Sequence, residues 1–573
     1  MAESKRQRLS KLQVQMELER SSFDAHYREL GDHFAPRRTR FWADDRNRGD
    51  KRHNRVVNEA GFLSARTLRS GMFAGITSPA RPWRRLSTPD PELADYGPVK
   101  DWLFLVNKRM RTMDLRSNLY NVLPTTYGDM GVFAIGAMGV FEDQQDMMRC
   151  YSYPVGSYWI ARNDRGQVDT FMRKYQMTVR QLVMKFGDVT AGPHDRWKNF
   201  SVQVRNAWDR GDYETIINVS HMTTPNMEFD PRKLDAKYSK PYASCYYEQG
   251  AVGGSSAQQS DVAYDRFLRE SGFDHFPFLV PTWELTGEDI YGTSCPGMEA
   301  LAGCKELQLT EKRVSRAIEK QLNPALQGPT SLRNQKASLL AGDITYVDDA
   351  SGKGGLRPIH EVSMAIDKVE QRIERLERRI SRCFYEDLFL MLAQMEGIQP
   401  RTEAEIAERH EEKLLALGPV LEGTNDALLD PLTDIQFAIM QRFGLVPEPP
   451  EELADQDLRV EYESIMAKAQ KLVGVAGTER FVSFVGNMAA AFPIVLKKVN
   501  ALAVVDEYGD MMGVSSQIVR TDEEVQADVE REQAAQQQAQ LAERMPVMAG
   551  AAKQLSEADT STDNMLTRLL AGA

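Results

Sequence analysis

The feature that most constrains this chain is a pair of long helical patterns, each apolar on one face only, separated by a short insert rich in Pro and Gly. In GMEALAGCKELQLTEKRVSRAIEKQL, Cys304, Leu307, Val314 and Ile318 fall on one face, with Glu311 intruding. Beyond the insert, Ile366, Val369, Ile373, Leu376, Ile380 and Cys383 recur at three-then-four spacing, and Arg372, Arg375, Arg378, Arg379 and Arg382 crowd the other faces. A helix with one apolar stripe is stable only when that stripe is covered. The pattern therefore predicts two one-faced helices joined by a small β insert, a rod with a knob at its end.

The N-terminal half reads differently. Residues 10–30 carry an amphipathic helix pattern, and the stretch from 37 to 55 concentrates eight Lys/Arg against three Asp. That basic stretch suits a phosphate-facing arm, a solvated loop or an interface strip. Between Asn58 and Ile76, the residues Val57, Gly61, Ser64, Leu68, Gly71 and Gly75 form one stripe of small or apolar side chains, with Arg66 and Arg69 off it. Small residues permit close backbone approach, so this helix should have a tightly packed neighbour. From about 130 to 290, short runs rich in Val, Ile, Tyr, Phe and Trp read as antiparallel strands, interrupted by a helix at TVRQLVMKFG. The segment EQGAVGGSSAQQSD reads as a polar loop.

After residue 394 the pattern is again helical. Thr402 with Glu405 forms a capping box, Gly418 and Pro419 are expected to end or kink the helix it opens, and VPEPPEEL marks a boundary at 446–453. A second box, Thr521 with Glu524, opens a tail that is polar nearly all round, with ten acidic against four basic residues over 521–573. The fold class is α+β, predominantly helical.

Composition and missing motifs exclude most chemistry. With 71 basic and 82 acidic side chains, the net charge of -11 is wrong for a protein that grips nucleic acid over its whole surface. Cys150, Cys245, Cys295, Cys304 and Cys383 lack CxxC spacing and read as buried thiols, not metal ligands. No phosphate-binding GxxxxGK[ST], HExxH or GxSxG string is present. Gly71 and Gly75 make a GxxxG, but Arg66, Arg69 and Arg81 deny it an apolar span. The charged N-terminus is not a signal peptide, and no run suits a bilayer. The expectation is a protein that is not an enzyme, holds no cofactor or metal, and does not enter membranes. A nucleic-acid-processing enzyme with unrecognised motifs, or a tail or scaffold protein without a DNA channel, are the alternatives.

In this order the features resemble the head-to-tail connecting, or portal, proteins of short-tailed bacteriophages. The resemblance is carried by NEAGFLSARTLRSGMFAGITSPARPWRRL, NLYNVLPTTYGDMGVFAIGAMGVFED, YGTSCPGMEAL, TEAEIAERHEEKLLALGPVLEGTNDALLDPL, YESIMAKAQKL and VDEYGDMMGVSSQIVRTDEEV. It implies a wing region over 1–293, stem helices at 294–322 and 362–393, and a clip at 323–361. It further implies a tunnel loop and wing helix over 394–449, a crown over 450–520 and a barrel-like C-terminal helix and tail over 521–573. Gln399 and Arg401 would then face a channel, Arg333 and Lys336 would serve clip contacts, and Trp83, Gly71 and Gly75 would pack the wing, with the neighbouring arginines meeting acidic partners. The implied function is a ring, dodecameric in the family, at one capsid vertex of the virion and assembled in the host cytoplasm. It would pass double-stranded DNA without sequence specificity during packaging and ejection, and would dock the terminase, tail or adaptor proteins and the major capsid protein. One-faced helices suit such a ring, since a heterologous interface that closes is cyclic. An acidic or mixed channel lining also lowers the salt-dependent hold on each phosphate.

Overall fold

The computed structural model describes residues 4–41, 56–90, 96–187, 199–233, 239–249, 267–322, 366–394, 417–453 and 458–462, together with short pieces at 93–94, 326–327, 357–358 and 481–489 and isolated positions at 197 and from 492 to 535. Contacts divide the chain into Met1–Gln470 and Lys471–Ala573.

In the first unit a helical layer comes first. Helix α1 (Lys5–Phe34) begins at a capping box in which Ser4 Oγ accepts from the Gln7 amide at 3.3 Å and Gln7 Oε1 accepts from the Ser4 amide at 3.2 Å. Helix α2 (Ala60–Ile76), strand β1 (Arg84–Ser87), α3 (Gly97–Arg116) and α4 (Leu119–Phe133) follow. Helix α4 stops at Ala134, whose φ of 63° is left-handed and turns the chain into the first sheet.

That sheet has the order β3-β2-β9, from the hairpin β2 (Met138–Asp143) and β3 (Met147–Ser152) and the short β9 (Phe278–Leu279). A second sheet runs in chain order through β4 (Tyr158–Arg162), β5 (Val168–Thr178), β6 (Ile216–Pro225), β7 (Tyr242–Glu248) and β8 (Arg269–Phe273), all antiparallel. Between β5 and β6 lie α5 (Val179–Phe186) and α6 (Val202–Asp209). The expected helix at TVRQLVMKFG is α5, capped by Thr178 and Gln181 in a reciprocal box. The five-stranded sheet is covered on both sides. Leu9 and Met16 of α1 pack with Met172, Met222 and Cys245, while Leu182, Val183 and Val204 of α5 and α6 pack with Ile217 and Val219. Alternate strand residues point to opposite faces, so one sheet serves two small cores. Phe171 and Phe278, stacked at 4.0 Å with 9° between planes, join this sheet to the first.

The C-terminal part of this unit begins with α7 (Pro296–Leu322); β10 (Leu326–Gln327) and β11 (Arg357–Pro358) pair beyond it. The second helical pattern, read from sequence as one run over 362–393, is divided into α8 (Ile366–Cys383) and α9 (Glu386–Gln394) at Tyr385, where φ is 54°. A non-glycine residue in this conformation costs about 1 kcal/mol. The break redirects the chain so that Phe384 meets Phe34 edge-on at 5.3 Å and Phe389 reaches α2. Gly418 and Pro419 lie within helical residues 417–424; the departure from α geometry falls after them, in a π turn at Asn425–Leu429 that leads into α10 (Asp430–Arg442). Beyond the proline cluster the chain returns, and β12 (Arg459–Tyr462) pairs antiparallel with β1. The main core joins α1–α4, the first sheet and α7–α10. Four cysteines are buried and Cys383 is half-buried, all as free thiols.

In the second unit the longest described stretch is the helix 481–489, with Val485 buried and Phe481 and Phe484 exposed. The capping boxes at Thr402 and Thr521, all but the first two residues of the expected loop at 248–261, and most of the basic stretch and of the tail lie outside the described residues.

Candidate functional site

The helix pair α7 and α8 is the element whose surface an assembly can use. Its shared stripe is closed at one end, where Cys304, Leu307, Leu376 and Ile380 are buried. Toward the insert it opens: Ile318 is 38% and Leu322 81% exposed, while Val314, Val369 and Ile373 are half-buried. Charged residues flank the stripe along its length. Arg372 of α8 pairs with Glu306 of α7, and Arg378 pairs with Glu374 one turn away at 3.1 Å. Arg313 and Arg316 on α7, and Arg375, Arg379 and Arg382 on α8, are exposed.

The closed end is tied by Asn58, which precedes α2. Its Oδ1 accepts from the Ala60 amide at 2.8 Å, an Asx turn at the entry to that helix. Its Nδ2 donates to Glu311 Oε1 on α7 at 3.1 Å and to Glu377 Oε1 on α8 at 2.8 Å. Gln308 completes the clamp, accepting at Oε1 from the Val57 and Asn58 amides at 2.6 and 2.9 Å and donating from Nε2 to the Asn58 carbonyl at 2.6 Å. Glu311, which interrupts the apolar face in sequence, thus has a partner that bridges both helices.

The small-residue stripe of α2 packs closely on four helices. Gly61 lies against Phe34 and Cys304, and a Cβ there would come within 3.0 Å of each. Leu68 packs on Gly131 of α4, and Gly71 receives the Phe389 ring of α9 so closely that a Cβ would overlap it. Gly75 is buried, whereas Val57 precedes the helix and is exposed.

Trp83 is 3% exposed and belongs to the main core. Its Nε1 donates to Tyr120 Oη at 3.3 Å, and the Arg84 guanidinium lies 4.3 Å over its ring. Arg84 is itself buried. It donates to both Asp114 oxygens at 3.1 Å, to Thr433 Oγ1 at 2.5 Å and to Gln436 Oε1, while Gln436 Nε2 donates to Asp114 Oδ1 at 3.0 Å. Burial pushes the Asp114 carboxyl above its usual range, and Arg84 pulls it back. Arg85 pairs with Glu461 at 2.8 Å across the β1–β12 ladder. The acidic partners expected for these arginines are therefore Asp114 and Glu461, and the group locks α10 to α3 and β1. From the basic stretch, Arg38 is likewise spent on structure, donating from Nε to Asp129 at 2.9 Å.

Gln399, Arg401, Arg333 and Lys336 lie outside the described residues. Sequence reading missed Asn58, Gln308, Asp114 and Gln436. Their signal was indirect: an acid on an apolar stripe for the first pair, and a cation next to a buried tryptophan for the second. Among the described residues no group of three His, Cys, Asp or Glu could hold a metal ion, and no described helix is long and apolar enough to cross a membrane.

Comparison with known proteins matches this chain to the family model described as bacteriophage head to tail connecting protein over residues 6–519. The portal protein of Salmonella phage epsilon15 is 44% identical over 570 residues, covering 99% of this chain and 98% of its own. The probable portal protein of Bordetella phage BPP-1 is 39% identical over 555 residues, covering 96% of each. With a match that extends from α1 through the helix pair to the second unit, the chain belongs to the bacteriophage head-to-tail connecting protein family.

Proposed function

We propose that this chain is the portal subunit of a short-tailed phage, closing with copies of itself into a ring at one capsid vertex through which the genome enters and leaves. The observation that carries the reading is the collinear similarity to portal proteins over nearly the whole length of each chain. The helix pair supports it physically. Ile318 and Leu322 expose apolar surface that a single chain leaves in water, beside charged flanks able to pair across copies. In this reading α7 and α8 are the stem, residues 323–361 the clip, and the region around Trp83, Gly71 and Gly75 the wing. The clip docks the terminase and later the tail or adaptor proteins, and the wing meets the capsid shell. Gln399 and Arg401 face the channel, and Arg333 and Lys336 the clip's partners.

The ring is passive in this scheme, and the energy for packaging comes from the docked motor. The net charge of -11 suits a conduit that must let DNA slide. Negative-stain microscopy of the purified chain at several concentrations tests the proposal. Closed rings with an axial hole are expected; fibres, solid discs or monomers at every concentration would overturn it.

A further inference from the structure

The five-stranded sheet gathers cations and aromatic rings on the face turned away from α1. Met172, Met222 and Cys245 are in register across β5, β6 and β7 and face α1, and the next residue along, Glu270 of β8, pairs with Lys5 of that helix. Side chains alternate, so the adjacent row projects oppositely. That row is Arg173, His221, Tyr246 and Arg269, again in register across the four strands.

Tyr246 is its centre. The His221 ring stacks on it at 3.8 Å with 3° between planes, and Lys185 of α5 places Nζ 5.6 Å from its ring. The Arg173 guanidinium lies 4.6 Å from the Tyr175 ring and 5.2 Å from that of Tyr153. Lys185 and Arg269 are exposed at the rim, and Arg173 and Tyr246 are half-buried below them.

The electrostatics of this cluster are incomplete. Arg20, Arg38, Arg84 and Arg442 each meet a carboxylate, but among the described residues Arg173, Lys185 and Arg269 meet none. Burial, and then Arg173 and Arg269, hold the Lys185 ammonium below its usual pKa. Three buried polar atoms, Arg173 Nε, Tyr153 Oη and Tyr175 Oη, lack a hydrogen-bond partner among the described residues. Donors and like charges gathered in this way are costly unless an anion joins them.

We propose that Arg173, Lys185 and Arg269, set around Tyr246, form a binding site for a phosphate group. A single carboxylate would leave two of the three positive charges uncompensated, whereas a phosphate monoester brings up to two negative charges. Its several oxygens also suit a guanidinium fork, an ammonium and phenol hydroxyls together. The group is either free, as phosphate or a monoester, or part of a nucleic-acid backbone.

The test uses the full chain and two probes, inorganic phosphate followed by phosphorus NMR and a short duplex DNA followed by anisotropy, against chloride at matched ionic strength. Lys185→Gln with Arg269→Gln is the working variant, because both side chains are exposed and the fold should survive; Arg173→Met is the second. Saturable binding that the double variant weakens roughly tenfold or more is expected, the loss of about one charge-assisted hydrogen bond. Variant-sensitive binding of phosphate assigns the pocket to the free group, and of duplex alone to backbone phosphate. Binding of neither probe, or binding that the double variant retains, overturns the site.

Discussion

Gln308 and Asn58 hold each other by two reciprocal hydrogen bonds, from the Asn58 amide to Gln308 Oε1 at 2.9 Å and from Gln308 Nε2 to the Asn58 carbonyl at 2.6 Å. Because Asn58 Nδ2 also reaches Glu311 and Glu377, this pair fastens the entry of α2 to both long helices.

Gln308→Met keeps the volume but leaves the Val57 and Asn58 amides without their acceptor. These amides are only partly buried, so a loss of about 1 kcal/mol is expected in urea unfolding. Asn58→Ala should lose a similar amount and also loosen the helix pair, read as faster amide exchange in α7 and α8. Unchanged unfolding in both variants would remove the clamp from the account.

Gly71→Ala forces a methyl group into the Phe389 ring, and overpacking of this kind costs about 1–3 kcal/mol. Phe389→Leu should recover part of the loss in the double variant. Additive destabilisation in the thermodynamic cycle would show that the two sites do not touch.

Trp83→Ala removes a buried indole and the surface on which Arg84 lies, and should cost about 3–5 kcal/mol. Folding or ring formation is expected to fail, with little selective change in DNA affinity. Intact rings that had lost only DNA binding would return the arginines around Trp83 to phosphate recognition.

His221 is fully buried, and burial first, then Arg173 and Lys185, hold its pKa well below the usual value. The unfolded chain therefore takes up the proton more readily. The stability tied to neutral His221 is present above about pH 6.5 and is lost as pH falls from there toward the lower folded value. Relative to the parent, His221→Phe should unfold with a shallower acid dependence below pH 6.5; parallel curves would refute this linkage.

Burial pushes the Cys150, Cys245 and Cys295 thiols up to about 12. Native protein at pH 8 should react with a thiol reagent at Cys383 first, and at the other sites only on unfolding. Rapid labelling of Cys295 in the native state would contradict the packing described here.

Periodicity alone was enough for the elements that carry their own local signal. The long helices, the small-residue face of α2, helix α5 and the strands between 130 and 290 are legible because side-chain spacing acts within a few residues. Trp83 as a core residue was legible for a similar reason, since a large apolar ring beside a close-packed helix has one economical place. The break at Tyr385 was not. The apolar spacing continues through it, and only the need to bring Phe389 onto Gly71 selects the left-handed backbone there.

The sequence by itself determined the one-faced helices, the acidic balance and the absence of recognisable catalytic strings, all properties of composition and short-range spacing. Tertiary structure decided which polar groups meet. Arg84 finds Asp114 and Gln436, and Asn58 finds Glu311 and Glu377. The partners in these groups lie from 30 to more than 300 residues apart, and no local rule specifies which distant side chain desolvates a charge and which compensates it.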